Sequence, residues 1–529
     1  MDGLSTEPLP LGIEPALPSS NRLVPTRRLV LILRVGIAVA SLAQLGLMLT
    51  QAWVQWHRFG LTTDFAQYSQ AQWLIGHGQL NPHDTVSGVS FARFQATYIM
   101  WPLGLVWTIT RTAFSLLVVQ AAAIAACTWI GGIWILEVVQ TRLPGRILAQ
   151  VGVVGGLVAA LALNPFAFEA SFFDFHPEPI CALFLLLAAR ALWRRSRVSP
   201  FVWAALALTT GGVGTLLTIG LGLGVAMLVP GRRRQGLAIF VGAMVWLTVI
   251  LVVGLALSTP LDSSYGYLAP GVHNATGISG MLALGFGIVQ HPSTALHTLW
   301  HRRHPIYQIF QAGGMIGVFT GWGAGVIVID LLANGLFASY TLIAFGSGAF
   351  QNFPAVVLLT MGSALAVVWL LHQGRRTRVL GVVIGLAVLA NSLALAVNND
   401  NLDLPRSWLK VSPSAQVALA QAQSKIPSSW AVIASQGVVG RFGTRTTVFP
   451  YSVACEVYPL PQQNTAVILA PEQGVELVPA VSALSAVAQL KRAHSPLLIH
   501  SGGIWVFRVH RTPNRQTLQL GTGCSTGTP

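Results

Sequence analysis

The sequence predicts a mainly α protein: a polytopic membrane helix bundle of about eleven spans that ends in a C-terminal extracytoplasmic α/β domain. Three observations carry this. Only 9% of the 529 residues are charged, where a soluble domain has about 25%, and 53% are hydrophobic. Apolar runs long enough to cross a bilayer, about 20 residues each, recur from residue 29 to residue 397. Polar residues, turn formers and all three lysines (Lys410, Lys425, Lys491) return only beyond residue 398. So few charges cannot clothe a soluble enzyme or a nucleic-acid-binding domain, and so many apolar residues do not suit a disordered chain. The four cysteines are too few for a disulfide scaffold, and none stands in a Cys-x-x-Cys pair that would suggest zinc or redox chemistry.

Residues 1–28, with Pro8, Pro10, Pro15 and Pro18, read as a disordered cytoplasmic tail and not as a cleavable signal peptide. A transmembrane domain follows over 29–397, with clear spans at 29–49, 113–136, 147–165, 178–193, 236–257, 354–372 and 379–397. Two stretches, 201–229 and 307–338, are too long for one crossing and are interrupted by Gly211, Gly212 and Gly214 and by Gly321, Gly323 and Gly325. Each reads as a pair of short helices meeting at a glycine-rich tip. Orientation follows from the arginines, since cytoplasmic loops are enriched in Lys and Arg. Arg22, Arg27 and Arg28, then Arg142/Arg146, Arg190/Arg194/Arg195/Arg197, Arg232–Arg234 and Arg375/Arg376/Arg378 fall on one side if residues 95–111 do not cross but lie along the outer membrane edge. Trp101, Trp107 and Tyr98 suit that interfacial position. The formal charge of +15 is then mainly a topology signal. The outer regions are the loops 50–112 and 258–306 and the domain 398–529. In that domain the pattern predicts helix 413–424, strands 430–435, 446–449 and 466–470, helix 478–493, and strands 496–500 and 504–509. Cys455 and Cys524 both lie in it, as a disulfide or as two free thiols.

With 16 acidic residues in the whole chain, those near the outer loops matter most: Asp64, Asp84, Glu169, Asp174 and Glu178. Asp64 opens Asp64-Phe65-Ala66-Gln67-Tyr68, where helical spacing puts Asp64 and Tyr68 on one face of an amphipathic helix along the outer surface. Thr-Asp before such a run is also a common helix start, so capping is the alternative role. Phe172-Phe173-Asp174-Phe175-His176-Pro177-Glu178-Pro179 gathers two acids and an imidazole at the water boundary, where charge beside hydrocarbon is costly and its presence points to function. Asp330, inside Val326-Ile327-Val328-Ile329-Asp330-Leu331, is the acid placed well within a span; it is either functional or a neutral group hydrogen-bonded to Asn334. His297, His301 and His304 share a helical face by spacing, but with Arg302 and Arg303 beside them they read as a polar interface helix rather than a metal site.

These features together resemble the GT-C class of membrane glycosyltransferases, and more closely the bacterial membrane family called domain of unknown function 2079, grouped with that class. The residues carrying the resemblance are Asp64 to Trp73 with Gly76-His77-Gly78, Phe94 to Pro102, Asp174-Phe175-His176-Pro177-Glu178, and in the tail domain Ile426-Pro427, Val432-Ile433-Ala434 and Phe449-Pro450. It covers about residues 30 to 510 and implies a GT-C-like fold. It also implies transfer of a sugar from a polyprenyl-phosphate donor to an acceptor at the outer face of the plasma membrane. On that resemblance Asp64 and Asp174 are the catalytic candidates, Asp64 as the base that takes the proton of the attacking hydroxyl. Tyr68, His176, Glu178 and Arg93 are substrate-binding candidates. Arg93 would contact the lipid phosphate, or else is an ordinary snorkelling arginine. Asp174, His176 and Glu178 would hold a divalent cation, Mg²⁺ or Mn²⁺, if one is used. The expected partners are membrane lipids and the lipid-linked sugar, with no nucleic acid.

One departure stands out. Where the family is expected to carry a charged pair, between the two short helices, this chain has Thr209-Thr210-Gly211-Gly212-Val213-Gly214. Either the acid-base work is carried elsewhere, with Asp330 able to compensate for the missing charge, or the protein is a catalytically inactive membrane scaffold of the cell envelope; the broken spans and Asp330 make a transporter a further alternative.

Overall fold

The computed structural model describes residues 27–91, 93, 96–252, 262–269, 277–345, 348–398, 411–474 and 478–522. The tail 1–26 and Cys524 lie outside these. The chain is mainly helical, with a mixed α/β sheet region at its C-terminal end. Among the described residues, six helices are long and apolar enough to cross a membrane: Arg27–His57 (α1), Phe114–Arg142 (α4), Ile147–Phe172, Arg233–Val252 (α10), Ala349–His372 (α15) and Arg375–Val397, within α16 (Arg375–Asn398). The third of these comprises Ile147–Ala162 (α5) and Pro165–Phe172 (α6), restarted at Asn164, whose side chain accepts from the N–H of Phe166 at 3.0 Å with proline in the first turn. About eleven spans are expected from the sequence, and six of full length stand among the described residues. The remaining apolar helices are short: Glu178–Trp193 (α7), Ser199–Leu208 (α8), Gly212–Leu228 (α9), Gly277–Gln290 (α11) and Ala324–Asp330 (α14). Between α10 and α15 also lie Pro292–His301 (α12) and Arg303–Gly313 (α13).

The glycine breaks have clear causes. Gly211, at φ 116°, lets the chain turn between α8 and α9. The other stretch breaks earlier than expected, at Gly313 and Gly314, and reaches α14 through a short 3₁₀ turn, Ile316–Phe319. Its glycines serve packing instead: a Cβ on Gly220 would meet the carbonyl of Gly325 at 2.6 Å, and one on Gly224 the carbonyl of Gly321 at 2.6 Å. Two Gly-x-x-x-Gly faces thus bring α9 and α14 into backbone contact. The arginine-bearing turns meet at one end of the bundle. Arg146 donates to the carbonyl of Leu371, Gln235 donates to that of Ser196, and Arg190 and Arg194 pair with Glu137.

At the opposite end stand Thr63–Gly76 (α2) and Met100–Thr110 (α3), the latter too short to cross. Helix α2 is not an amphipathic surface helix, because ten of its fourteen residues are buried. Its glutamines radiate to different neighbours. Gln67 bonds Asp84, Gln70 bonds Thr85 and the carbonyls of Arg445 and Thr446, and Gln72 bonds the carbonyl of Leu103 and the hydroxyl of Ser115.

The C-terminal domain follows the expected order closely: helix Pro413–Lys425 (α17), strands Ala431–Ser435 (β1), Val448–Tyr451 (β2), Val457–Pro459 (β3) and Asn464–Leu469 (β4), helix Ala480–Arg492 (α18), and strands Leu497–Ser501 (β5), Ile504–His510 (β6) and Thr517–Gln519 (β7). Five strands form one sheet in the order β2-β1-β4-β6-β5, parallel across β2-β1-β4 and antiparallel across β4-β6-β5. Alternation sends Val432 and Ala434 to the α17 face and Ile433 to the α18 face. Phe59 and Ala66 of the first loop complete the α17 face. Cys455 is disulfide-bonded, whereas Cys127 and Cys181 are free and buried.

The domain docks on α2 through two glycines. The N–H of Gly440 donates to the carbonyl of Leu61 at 3.0 Å, and a Cβ on Gly443 would meet the carbonyl of Ala66 at 2.6 Å. Arg441 lies over Trp56, 4.0 Å from the ring centroid, and donates to the Trp56 carbonyl. Gly443→Val is expected to lower the stability of the full chain by about 1–3 kcal/mol, because the buried Ser69 hydroxyl and the backbone of Ala66 together fill the space. Thermal unfolding of the solubilised protein measures this, and an unchanged midpoint would show that the docking contributes nothing.

Candidate functional site

The two acidic motifs, with Asp64 and Asp174 lying 110 positions apart in sequence, converge here. Helix α2 starts at Thr62, whose own side chain makes no capping bond. The orphan donors of its first turn are met instead by Asp174, from the loop between α6 and α7. The Asp174 carboxylate accepts from the N–H of Thr62 at 3.0 Å, from that of Phe65 at 3.2 Å, and from the Thr62 hydroxyl. An acid at a helix N-terminus gains from both the free N–H groups and the helix dipole. Asp64 therefore does not cap its own helix. Its side chain is 43% exposed and lies 3.5 Å from Nε2 of His176, which is 6% exposed.

His176 is held from several sides. Its backbone N–H donates to Oε1 of Gln120 at 2.7 Å, while Nε2 of Gln120 donates to the carbonyls of Ala170 and Asp174 at 2.8 and 3.2 Å. The imidazole stacks on Phe350, with ring centroids 3.6 Å apart, and the Tyr68 ring meets it edge-on at 5.9 Å. Tyr68 is buried and also packs on Phe175 at 5.2 Å, so it shapes the histidine's setting. Glu178 opens α7 and is buried, its Oε2 without a hydrogen-bond partner among the described residues.

Electrostatics follow from this crowding. Burial works to lower the His176 pKa, but the carboxylate of Asp64, with those of Glu178 and Asp174, outweighs it, and the net shift is upward. Burial pushes the Asp174 carboxyl up to about 6, with the negative charge of Asp64 adding to it and the Thr62 donors working against it. The cluster is thus a buried imidazole among three carboxyl groups, one of which reaches solvent.

These groups do not fit a divalent cation. Both oxygens of Asp174 already accept hydrogen bonds from Thr62 or Phe65, and among the described residues no group of three His, Cys, Asp or Glu side chains is arranged to hold a metal. Arg93 is exposed, in a helical turn of which residues 92, 94 and 95 lie outside the described ones. Asp330 sits apart, fully buried, accepting from Nδ2 of Asn334 at 2.9 Å where α14 passes into a π turn, Leu331–Gly335. His297 and His301 touch at 2.9 Å, but the break at Arg302 puts His304 on the next helix, so the three do not share one face.

Three contributors escape sequence reading: Thr62, Gln120 and Phe350. A glutamine inside an apolar span is itself a signal, since lone polar groups there seek partners. Nothing local marks Phe350, which stacks on a ring 174 positions away.

Two outcomes are expected. Asp174→Ala removes the cap of α2 and costs about 1–2 kcal/mol, read as a lower unfolding midpoint. Both His176 and Asp174 have raised pKa values, so their stabilisation is complete below their unfolded-state values and is lost as pH rises through the raised ones. Stability should therefore fall from about pH 4 to about pH 6 as Asp174 ionises, and go on falling as pH rises above 6.5 through the raised His176 value, and Asp64→Asn should flatten that fall by removing the acid nearest the imidazole. A profile that rises with pH would contradict the coupling. No protein-family model matches the chain, and no curated protein matches it either.

Proposed function

We propose that the chain is a membrane glycosyltransferase that moves a sugar from a polyprenyl-phosphate donor to an acceptor at the outer face of the membrane. The supporting observation is the partly exposed Asp64 carboxylate beside the buried His176, at the bundle end opposite the arginine-bearing turns. Attack of an acceptor hydroxyl on the anomeric carbon releases a proton, and Asp64 is the group positioned to accept it. The anomeric carbon–oxygen bond breaks as the new one forms, and the polyprenyl phosphate leaves with the electron pair. The buried His176 ring, 3.5 Å from the Asp64 carboxylate, holds that carboxylate in place. Asp174 is a positioning residue, because its oxygens are committed to α2. The basic ends set the orientation by the excess of arginine in cytoplasmic loops.

A second reading, a non-catalytic scaffold of the envelope, has one observation in its favour: the uncharged turn Thr209–Gly214, where the Thr209 carbonyl accepts from the N–H of Ile99 at 2.9 Å. Asp64→Asn separates the two. Loss of a general base lowers the rate by about 10²-fold or more, so the enzyme reading expects lipid-linked sugars to accumulate and envelope glycans to fall, at unchanged protein abundance. Full complementation of a deletion strain by Asp64→Asn would leave the scaffold.

A further inference from the structure

The elbow between α12 and α13 opens a cavity of about 880 Å³. Arg302 makes the elbow. It is buried, and its guanidinium donates to the carbonyls of Gly335, Phe337 and Ala338 at 2.9, 2.5 and 3.1 Å, which pins the turn to the segment after the π turn. With its fork spent on those carbonyls, Arg302 is a strut and not a ligand.

The wall of the cavity has two halves of different chemistry. Leu299, Ile306, Phe310 and Leu331 form an apolar floor, while Arg303, His301 and His304 stand on the exposed rim. Among the described residues no acid lines it, so the rim attracts anions and gives a cation nothing to bind. Trp300 and Tyr307, 66% and 48% exposed, flank the rim, and these residue types settle at the depth of lipid headgroups. The Arg303 guanidinium lies 5.1 Å from the Trp300 ring centroid and donates to the Trp300 carbonyl at 3.2 Å. That contact orients the fork and leaves further N–H groups on the rim.

We propose that this cavity is a binding site for an anionic phospholipid, its phosphate held by Arg303 with His301 and His304 and its hydrocarbon chain lying along Leu299, Ile306, Phe310 and Leu331. Charge and polarity select that occupant. A free phosphate would leave the apolar floor against water, and a zwitterionic lipid would bring a cation to a rim that has no acid. Basic pockets between membrane helices hold anionic headgroups by the same logic. The proposal concerns binding alone and stands or falls independently of sugar transfer.

The test places a photo-crosslinker at Leu296, which lines the cavity and is 66% exposed, in the full chain reconstituted in nanodiscs. A clickable phosphatidylglycerol should label it. Unlabelled phosphatidylglycerol should compete, whereas phosphatidylcholine and inorganic phosphate should not. The double substitution Arg303→Ala with His304→Ala should reduce labelling about tenfold, the value of a lost charge-assisted contact, and Arg303→Lys should retain most of it. Equal labelling by a clickable phosphatidylcholine, competition by inorganic phosphate, or undiminished labelling of the double variant would each overturn the proposal.

Discussion

The hydrogen bonds between the Asp174 carboxylate and the start of α2 are the constraint on which the rest of this end of the molecule depends. A helix begins with N–H groups that have no partner of their own, and α2 recruits one from more than a hundred residues away. That single carboxylate joins the loop between α6 and α7 to the first outer segment. Helix α2 then carries the connection further, through Gln72 to α3 and α4 and through Gln70 to the C-terminal domain. Because Phe65 donates to Asp174, the side chain one position earlier is turned toward His176. The placement of Asp64 is therefore a by-product of how its helix is capped.

The cluster separates roles among acids that look alike in sequence. Asp174 is buried and saturated with donors, Glu178 is buried with one oxygen lacking a partner, and Asp64 alone of the three is substantially exposed. One imidazole lies within the field of all three. Such a group moves little when a ligand arrives, since Phe350 covers its face and Gln120 fixes its backbone. Fixed charge in a water-poor setting exerts a stronger field than the same charge in solvent, and this lends the exposed carboxylate a defined orientation without a metal.

Much of this architecture was legible in the sequence because it rests on local pattern. Apolar runs located α1, α4, α15 and α16 to within a few residues at most ends, and the alternation around Val432-Ile433-Ala434 located the sheet. The arginine spacing grouped turns that do meet. What was not legible depended on partners distant in the chain. The periodicity of Asp64, Tyr68 and Ala71 suggested a one-sided helix, yet α2 is enclosed because Gly440 and Gly443, near the other end of the chain, approach its backbone. The glycines at 321 and 325 read as a turn because sequence alone cannot tell a bend from a close contact. The identity of the capping acid was equally hidden: Thr-Asp offered a local solution, and a remote carboxylate took its place.

The burial of α2 also has a bearing on how the protein is made. Its Gln70 waits for acceptors 375 positions further on, so at ordinary translation speeds one face of this helix stands incomplete while all the later helices are synthesised. Assembly of this end of the bundle is therefore a closing event in biogenesis, completed only after the last strands emerge. A chain that stops before residue 411 has no Arg445 or Thr446 carbonyl to meet Gln70, and the polar face of α2 is left unfinished.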